Sequence, residues 1–386
     1  MNAVFESPSL LQRARPVFMG FDPTLALAIV LLAFAGMVNM YSVGFDHGTR
    51  FADHGRNMLL ALGILFVVAQ VPPQRLLALA VPLYTLGVTL LLVTAAFGVT
   101  KKGATRWLDV GVTVVQPSEI LKIATPLMLA WWFQRREGHT GALEYLGAFA
   151  LLAVPVGLIV KQPDLGTAIL VGSTGLFVIF FAGLPWRLVI PVLAAGALAV
   201  TALVVSGDRI CQPDVSWQPL LRDYQKSRVC TLLDPTQDPL GTGFHTLQGM
   251  IAIGSGGVDG KGFMKGTQTH LEFIPERTTD FAFAGYAEEF GLLGSVALIL
   301  GFVFLIFRGL MIAADAPTLF ARLLAGAITL SFFTYAFVNM GMVSGILPVV
   351  GVPLPFVSYG GTAMVTTGLG LGMLMSIARS RRLKTR

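Results

Sequence analysis

Residues 273–291 read FIPERTTDFAFAGYAEEFG and set five charged side chains beside an apolar run. Asp280 falls where that run begins. Pro275 blocks a helix from continuing out of the preceding segment. Thr278 or Thr279 is placed to cap a following helix, with Asp280 in its first turn, where the dipole favours negative charge. On that reading Asp280 is a helix-end carboxylate and nothing more. The second reading rests on its company. Glu272, Glu276 and Arg277 crowd the approach, and Glu288 and Glu289 follow two turns later. A carboxylate crowded by others against an apolar wall holds its proton to higher pH, which suits a general base.

Other polar residues stand against the same apolar background. Glu119 and Lys122, in QPSEILKIATPLMLAWW, are three apart and share one helix face. They serve either as an ion pair tethering two helices or as the wall of a polar cavity that meets an anionic or sugar substrate. Upstream, GATRWLDVG brings Arg106 next to Trp107. The tryptophan is either an interface anchor or a stacking face for a sugar, with the guanidinium holding a phosphate. In KQPDLGTA, Asp164 is expected to cap a helix from Leu165, and Lys161 is placed to face a head group. The Gly-rich run GSGGVDGKG (254–262) lacks Walker spacing and reads as a flexible turn. His47, His54, His139, His245 and His270 show no metal-site spacing.

The elements that position these residues are membrane helices. The 386-residue chain is 54% hydrophobic and 12% charged, against roughly 25% charged in soluble domains. About ten apolar spans are expected: 23–44, 57–72, 76–98, 117–134, 146–160, 165–183, 188–206, 281–307, 320–343 and 360–378. The runs do not alternate as a membrane β-barrel requires. No cleavable signal peptide is expected, because Arg13 and Arg15 precede a full-length span with no small-residue cleavage site after it. Thirteen basic residues fall in the loops and tails on one side and six in the short loops on the other. Both termini are therefore expected in the cytoplasm. The same placement explains the net charge of +6 without nucleic acid. The whole chain, 1–386, reads as one membrane domain. Its single large polar insertion, 207–280, is expected outside the cytoplasm, folded against the membrane face. Cys211 and Cys230 lie there in an oxidising compartment, either paired or as two thiols. Between the last two spans, GILPVVGVPLPFVSYGGTAM forbids a regular helix, and such backbone survives at membrane depth only where protein buries it or it lines a cavity.

Together GATRWLDVG…QPSEILKIA, KQPDLGTA, QGMIAIGSGG…KG, FIPERTTDFAFAGYAEEFG and GMVSGILPVVGVPLPFVSYGGTAM resemble the SEDS family (shape, elongation, division and sporulation), and within it the elongation branch. The loop RICQPDVSWQPLLRDYQKSRVCTLLDP is longer than is common there. The resemblance implies a peptidoglycan glycosyltransferase that polymerises lipid II at the outer face of the cytoplasmic membrane. A sugar 4-hydroxyl attacks with inversion and undecaprenyl diphosphate leaves. It carries the family's essential aspartate onto Asp280. The substrate-binding residues expected with it are Arg106, Trp107, Glu119, Lys122, Lys161 and Gln248, with Glu119 holding Lys122 in place. A divalent cation, Mg or Mn, could assist, and no nucleotide is needed. The implied partners are lipid II, membrane lipid and a class B penicillin-binding protein. A lipid II flippase is the rival reading, but a transporter gathers its charges at the midplane between inverted repeats, and here they gather at one face.

Overall fold

A computed structural model describes residues 20–101, 104–109, 114–138, 141–212, 215, 223–241 and 243–384. Of the residues singled out above, Arg13, Arg15, Lys102, His139 and Arg386 lie outside the described residues. The chain is helical almost throughout. Its first helices are α1 (Pro23–Val43), α2 (Arg50–Val68) and α3 (Pro73–Phe97). A small antiparallel sheet follows, β1 (Val99–Lys101), β2 (Ala104–Asp109) and β3 (Val114–Val115). Then come α4 (Pro117–Arg135), α5 (Ala142–Lys161), α6 (Leu165–Phe181) and α7 (Trp186–Ile210). After a segment of short helices, α11 (Ala282–Ala314), α12 (Leu319–Val343) and α13 (Gly361–Lys384) complete the bundle.

These ten helices fall on the ten expected spans, with the largest differences at the start of α2 and the end of α11. Eight are long and apolar enough to cross a bilayer. The other two, α4 and α6, pack against each other and against α12. Local chemistry sets several ends. Pro23 opens α1, and Asp22 accepts from the Leu25 amide. Thr318 caps α12 through the Ala321 amide. Burial separates the helices sharply. In α12 and α13, 67% and 72% of the apolar window is buried, so they form the centre, whereas α7 buries none of its window and faces outward along its whole length.

Between α7 and α11 lie α8 (Asp223–Leu233), a 3-10 turn (Pro235–Gln237), α9 (Phe244–Gly256) and α10 (Thr267–His270). Cys211 and Cys230 form a disulfide with a Cα separation of 5.5 Å, tying α8 to the end of α7.

Two local expectations are overturned here. The run 254–262 is no free turn. Helix α11 breaks at Gly291, with φ 64°, and the glycine-rich loop fills the break. The Lys261 and Gly262 amides donate to the Glu288 and Glu289 carbonyls at 3.1 and 2.9 Å. In return, the Leu292 and Leu293 amides donate to the Gly257 and Val258 carbonyls at 2.9 and 3.1 Å. A broken membrane helix exposes backbone groups that apolar surroundings cannot satisfy, and this loop satisfies them. Glycine is required at 260, because a Cβ there would sit 2.1 Å from the Glu289 carbonyl oxygen.

Nor do Thr278 and Thr279 cap α11. The helix begins at Ala282, and its N-cap position, Phe281, makes no side-chain cap bond. Thr279 Oγ1 instead donates to the Glu276 carbonyl and carboxylate at 3.2 and 2.9 Å. Glu276 adopts φ 52° and its carbonyl also accepts from the Thr279 and Phe281 amides. This closed turn delays the helix by a residue, so Asp280 precedes α11 and is not in its first turn.

Candidate active site

Asp280 is half-buried and pinned through its backbone. Asn339, fully buried in α12, donates from Nδ2 both to the Asp280 carbonyl at 2.9 Å and to the Val352 carbonyl at 2.7 Å. One amide thus ties the start of α11 to the irregular segment 344–360. On that segment Gly351 has φ 74°, and a Cβ there would lie 3.4 Å from Asp280 Oδ2. The carboxylate therefore lies within van der Waals reach of backbone whose positive φ favours glycine. Phe281 packs against His245 of α9, with ring centroids 5.8 Å apart and the rings tilted by 35°. Burial lowers the His245 pKa, and the Glu276 charge opposes that shift, which favours a neutral imidazole beside the site.

The crowd of carboxylates expected around Asp280 resolves into separate pairings. Glu272 lies 3.8 Å from Arg277. Arg277 donates to the Val43 carbonyl at 3.2 Å and to Asp46. Burial alone would raise the Asp46 pKa, but its bonds from Arg277 and His47 hold it well below the usual carboxylate range. Glu288 is fully buried and accepts from Lys261 Nζ at 2.6 Å, from Thr267 and Thr269 hydroxyls, and from the Gln268 and Thr269 amides. Glu289 accepts from Ser42 of α1 at 2.5 Å. These two residues lock the loop 261–270 onto the first half of α11.

A second polar group gathers at the N-terminal ends of α4 and α6. Arg106, on β2, donates to the Gln162 carbonyl at 3.3 Å and to the Pro163 carbonyl, and lies 3.8 Å from Asp164. Asp164 caps α6 as expected, accepting from the Thr167 amide at 3.2 Å, and also accepts from Gln116 at 3.0 Å. One turn on, Lys122 Nζ donates to Glu119 at 2.6 Å, and Thr366 of α13 donates to the other Glu119 oxygen at 3.0 Å. The ammonium lies 5.7 Å from the Tyr335 ring of α12. Lys122 faces inward, onto a cavity of only about 20 Å³. Glu119 faces outward, onto an open groove of about 410 Å³ lined also by Asn57, Gln116, Thr362, Leu60 and Leu369. Polar groups beside a greasy wall suit an amphiphile.

Segment 350–352 joins the two groups. Gly166, two residues past the Asp164 cap, would place a Cβ 2.7 Å from the Val350 carbonyl oxygen. The next residue is Gly351, against Asp280. The cation at β2 and the carboxylate before α11 thus flank one short strip of backbone.

The remaining expected residues are more dispersed. Trp107 is half-buried in β2, paired with Val99. Gln248 is half-buried on α9, one turn after His245. Lys161 is exposed at the end of α5, and its neighbours Gln162 and Pro163 meet Arg106 in its place. Sequence reasoning passed over Gln116, Asn339 and Thr366. For Asn339 a signal existed: an amide alone in the apolar run TYAFVNMGMV must find partners inside the bundle. Among the described residues, no three His, Cys, Asp or Glu side chains converge as metal ligands.

Fold and site define a multi-pass helical membrane protein whose polar centre lies at one face, against a broken helix and an irregular proline-rich segment. The chain belongs to the FtsW/RodA/SpoVE family of cell cycle proteins, whose model matches residues 17–383. It is 47% identical over 364 residues to the peptidoglycan glycosyltransferase MrdB of Escherichia coli K12, covering 94% of each chain. Among solved structures, it matches a chain of a peptidoglycan synthase complex concerned with the structural coordination of polymerization and crosslinking. That match has TM-score 0.77 and 30% identity, over 94% of this chain and 99% of the other. It also matches the rod shape determining protein RodA of Thermus thermophilus, with TM-score 0.69 and 27% identity over 94% and 98%. The latter protein has also been crystallised with an aspartate replaced by alanine.

Proposed function

We infer that this chain is a peptidoglycan glycosyltransferase of cell elongation, which polymerises lipid II into glycan strands. The observation that carries the site assignment is the placement of Asp280. Asn339 holds its main-chain carbonyl, its carboxylate lies beside Gly351, and Glu288 and Glu289 are bonded to Lys261 and Ser42. In this reading Asp280 accepts the proton of the attacking sugar 4-hydroxyl. Removing that proton as the bond to the anomeric carbon forms raises the hydroxyl's nucleophilicity, a contribution of about 10²–10⁴-fold. The leaving diphosphate carries the developing negative charge. Arg106 and, through the groove wall, Lys122 are the cations that would offset it. Glu119 and Thr366 hold Lys122 in orientation. Trp107 and Gln248 are assigned to the sugars and Lys161 to the head group.

The groove along α2, α4 and α13 explains how a lipid-linked donor reaches such a site. Its apolar residues Leu60, Ile120, Val365 and Leu369 take a prenyl chain while Asn57, Gln116 and Glu119 meet the polar end. The protein would work in the inner membrane with its active face outward, and alongside a class B penicillin-binding protein that cross-links the strands. A divalent cation, if required, would arrive bound to the diphosphate.

The test is Asp280→Asn in a purified assay with lipid II and the partner enzyme. The expected result is a rate lower by about 10²–10⁴-fold in a variant with unchanged melting temperature. Strand synthesis at the wild-type rate would remove Asp280 from catalysis. A chelator titration in the same assay checks the cation, with loss of rate expected and restoration by Mg or Mn.

A further inference from the structure

A second cavity lies on the outer-loop side of the same backbone strip. It encloses about 300 Å³ and is lined by Ser227, Arg228 and Thr231 of α8, Thr246 of α9, and Leu347 to Val349. Its size falls at the lower end of ligand pockets, about 300–1,000 Å³. Hydroxyls and Arg228 alternate with aliphatic residues, Leu232 on α8 and Leu347 to Val349 opposite. Sugars ask for this mixture, because a pyranose ring has apolar faces and a hydroxyl-bearing edge. Arg228 adds a positive charge, which suits the free carboxylates of the peptide that a muramic acid residue carries.

Location ties the cavity to the reaction. Val349 is two residues before Gly351, which faces Asp280 Oδ2. Thr246 follows His245, whose ring packs on Phe281, the residue after Asp280. None of the lining residues belongs to the groove of α2, α4 and α13. The wall is also braced. Cys230 lies between Arg228 and Thr231 and bonds Cys211, and Lys226 donates to the Gln212 and Val215 carbonyls at 2.7 and 2.5 Å. A helix held at two points keeps its lining residues in place for a ligand.

We propose that this cavity is a saccharide subsite for the lipid-free part of the glycan strand, sugars removed from the reacting bond and held on the water side of Asp280. The assignment rests on the glycosyltransferase reading for its chemistry. It goes further in giving the strand a second hold, independent of the lipid groove. A polymerase that grips the strand there releases it less often between additions and makes longer products. The disulfide then acts through α8: opening it loosens the grip without touching Asp280.

The probe is a lipid-free tetrasaccharide of alternating N-acetylglucosamine and N-acetylmuramic acid with its peptides, titrated onto the purified full chain. Arg228→Ala and Thr231→Val are each expected to weaken binding about tenfold, the scale of one lost hydrogen bond to a charged or hydroxyl group. Both are expected to shorten the strands made from lipid II. A Cys211→Ser, Cys230→Ser double variant is expected to shorten strands at a nearly unchanged initial rate, and its melting temperature shows whether it is folded. Wild-type chain that polymerises lipid II yet fails to bind the tetrasaccharide would overturn the subsite. So would both point variants binding it as tightly as wild type. Binding that follows the variants in a chain that makes no strands would instead count against the glycosyltransferase reading and leave the cavity a saccharide site.

Discussion

Two lysine–glutamate pairs in this molecule have the same 2.6 Å separation and opposite roles. Glu119 and Lys122 are three residues apart on α4, and the pair separates a small inner cavity from a large outer groove. Glu288 and Lys261 are 27 residues apart, and the fully buried Glu288 collects five donors. The contrast teaches that ion-pair distance says little about function. What differs is the remaining hydrogen-bonding capacity and the space alongside. The Glu288 pair is saturated and closes a break in α11. The Glu119 pair borders a groove a ligand can enter.

Removing one partner tests that division. Lys261→Ala leaves a fully buried carboxylate without its cation, which costs about 3–5 kcal/mol. A large fall in melting temperature is expected, with loss of activity only as the fold is lost. The readout is thermal unfolding in detergent set beside lipid II turnover. Lys122→Met is expected to do the reverse, lowering turnover by about 10²-fold through lost charge stabilisation with a smaller change in melting temperature. If both variants lost stability alike, the comparison would break. Thr366→Val sharpens it further. The variant removes one hydrogen bond to Glu119, worth about 0.5–1.5 kcal/mol, and a severalfold fall in rate is expected, with tetrasaccharide binding unchanged.

A third pair sets the smallest effect. Asp46 and Arg277 sit on the rim, and the Asp46 pKa is lower in the folded protein than in the unfolded chain. The stabilisation is therefore present above the ordinary carboxylate pKa, near 4, and lost as pH falls further. The melting temperature is expected to stay flat in this respect from pH 8 to 5 and to fall below about pH 4. Asp46→Asn should reduce the slope of that fall. An equal slope in the variant would remove the pair from the acid response.

Much of this was legible in the chain. Long apolar runs announce membrane helices because each span must satisfy its own backbone, and α1, α4 and α12 begin and end close to where the residues place them. Glu119 with Lys122, and Asp164 as a cap, followed from helical spacing, which is local. The Gly-rich plug was misread because its partners, Glu288 to Leu293, lie some thirty residues on and the break at Gly291 is silent in an apolar run. The delayed start of α11 was missed because Glu276 spends Thr279's hydroxyl in a turn, a competition that cap preferences alone do not resolve.

By itself, then, the sequence determined the bundle and the residue types able to carry the chemistry, since hydropathy and helical period act over one or two turns. Only the tertiary structure decided where each carboxylate lies. Asn339 bonds the Asp280 and Val352 carbonyls, and Gly351 and Gly166 let that strip of backbone run close to Asp280 and to α6. Glu288 and Glu289 are drawn off by a loop that folds back into a broken helix. Such choices depend on contacts between segments far apart in the chain, where neither period nor propensity carries information.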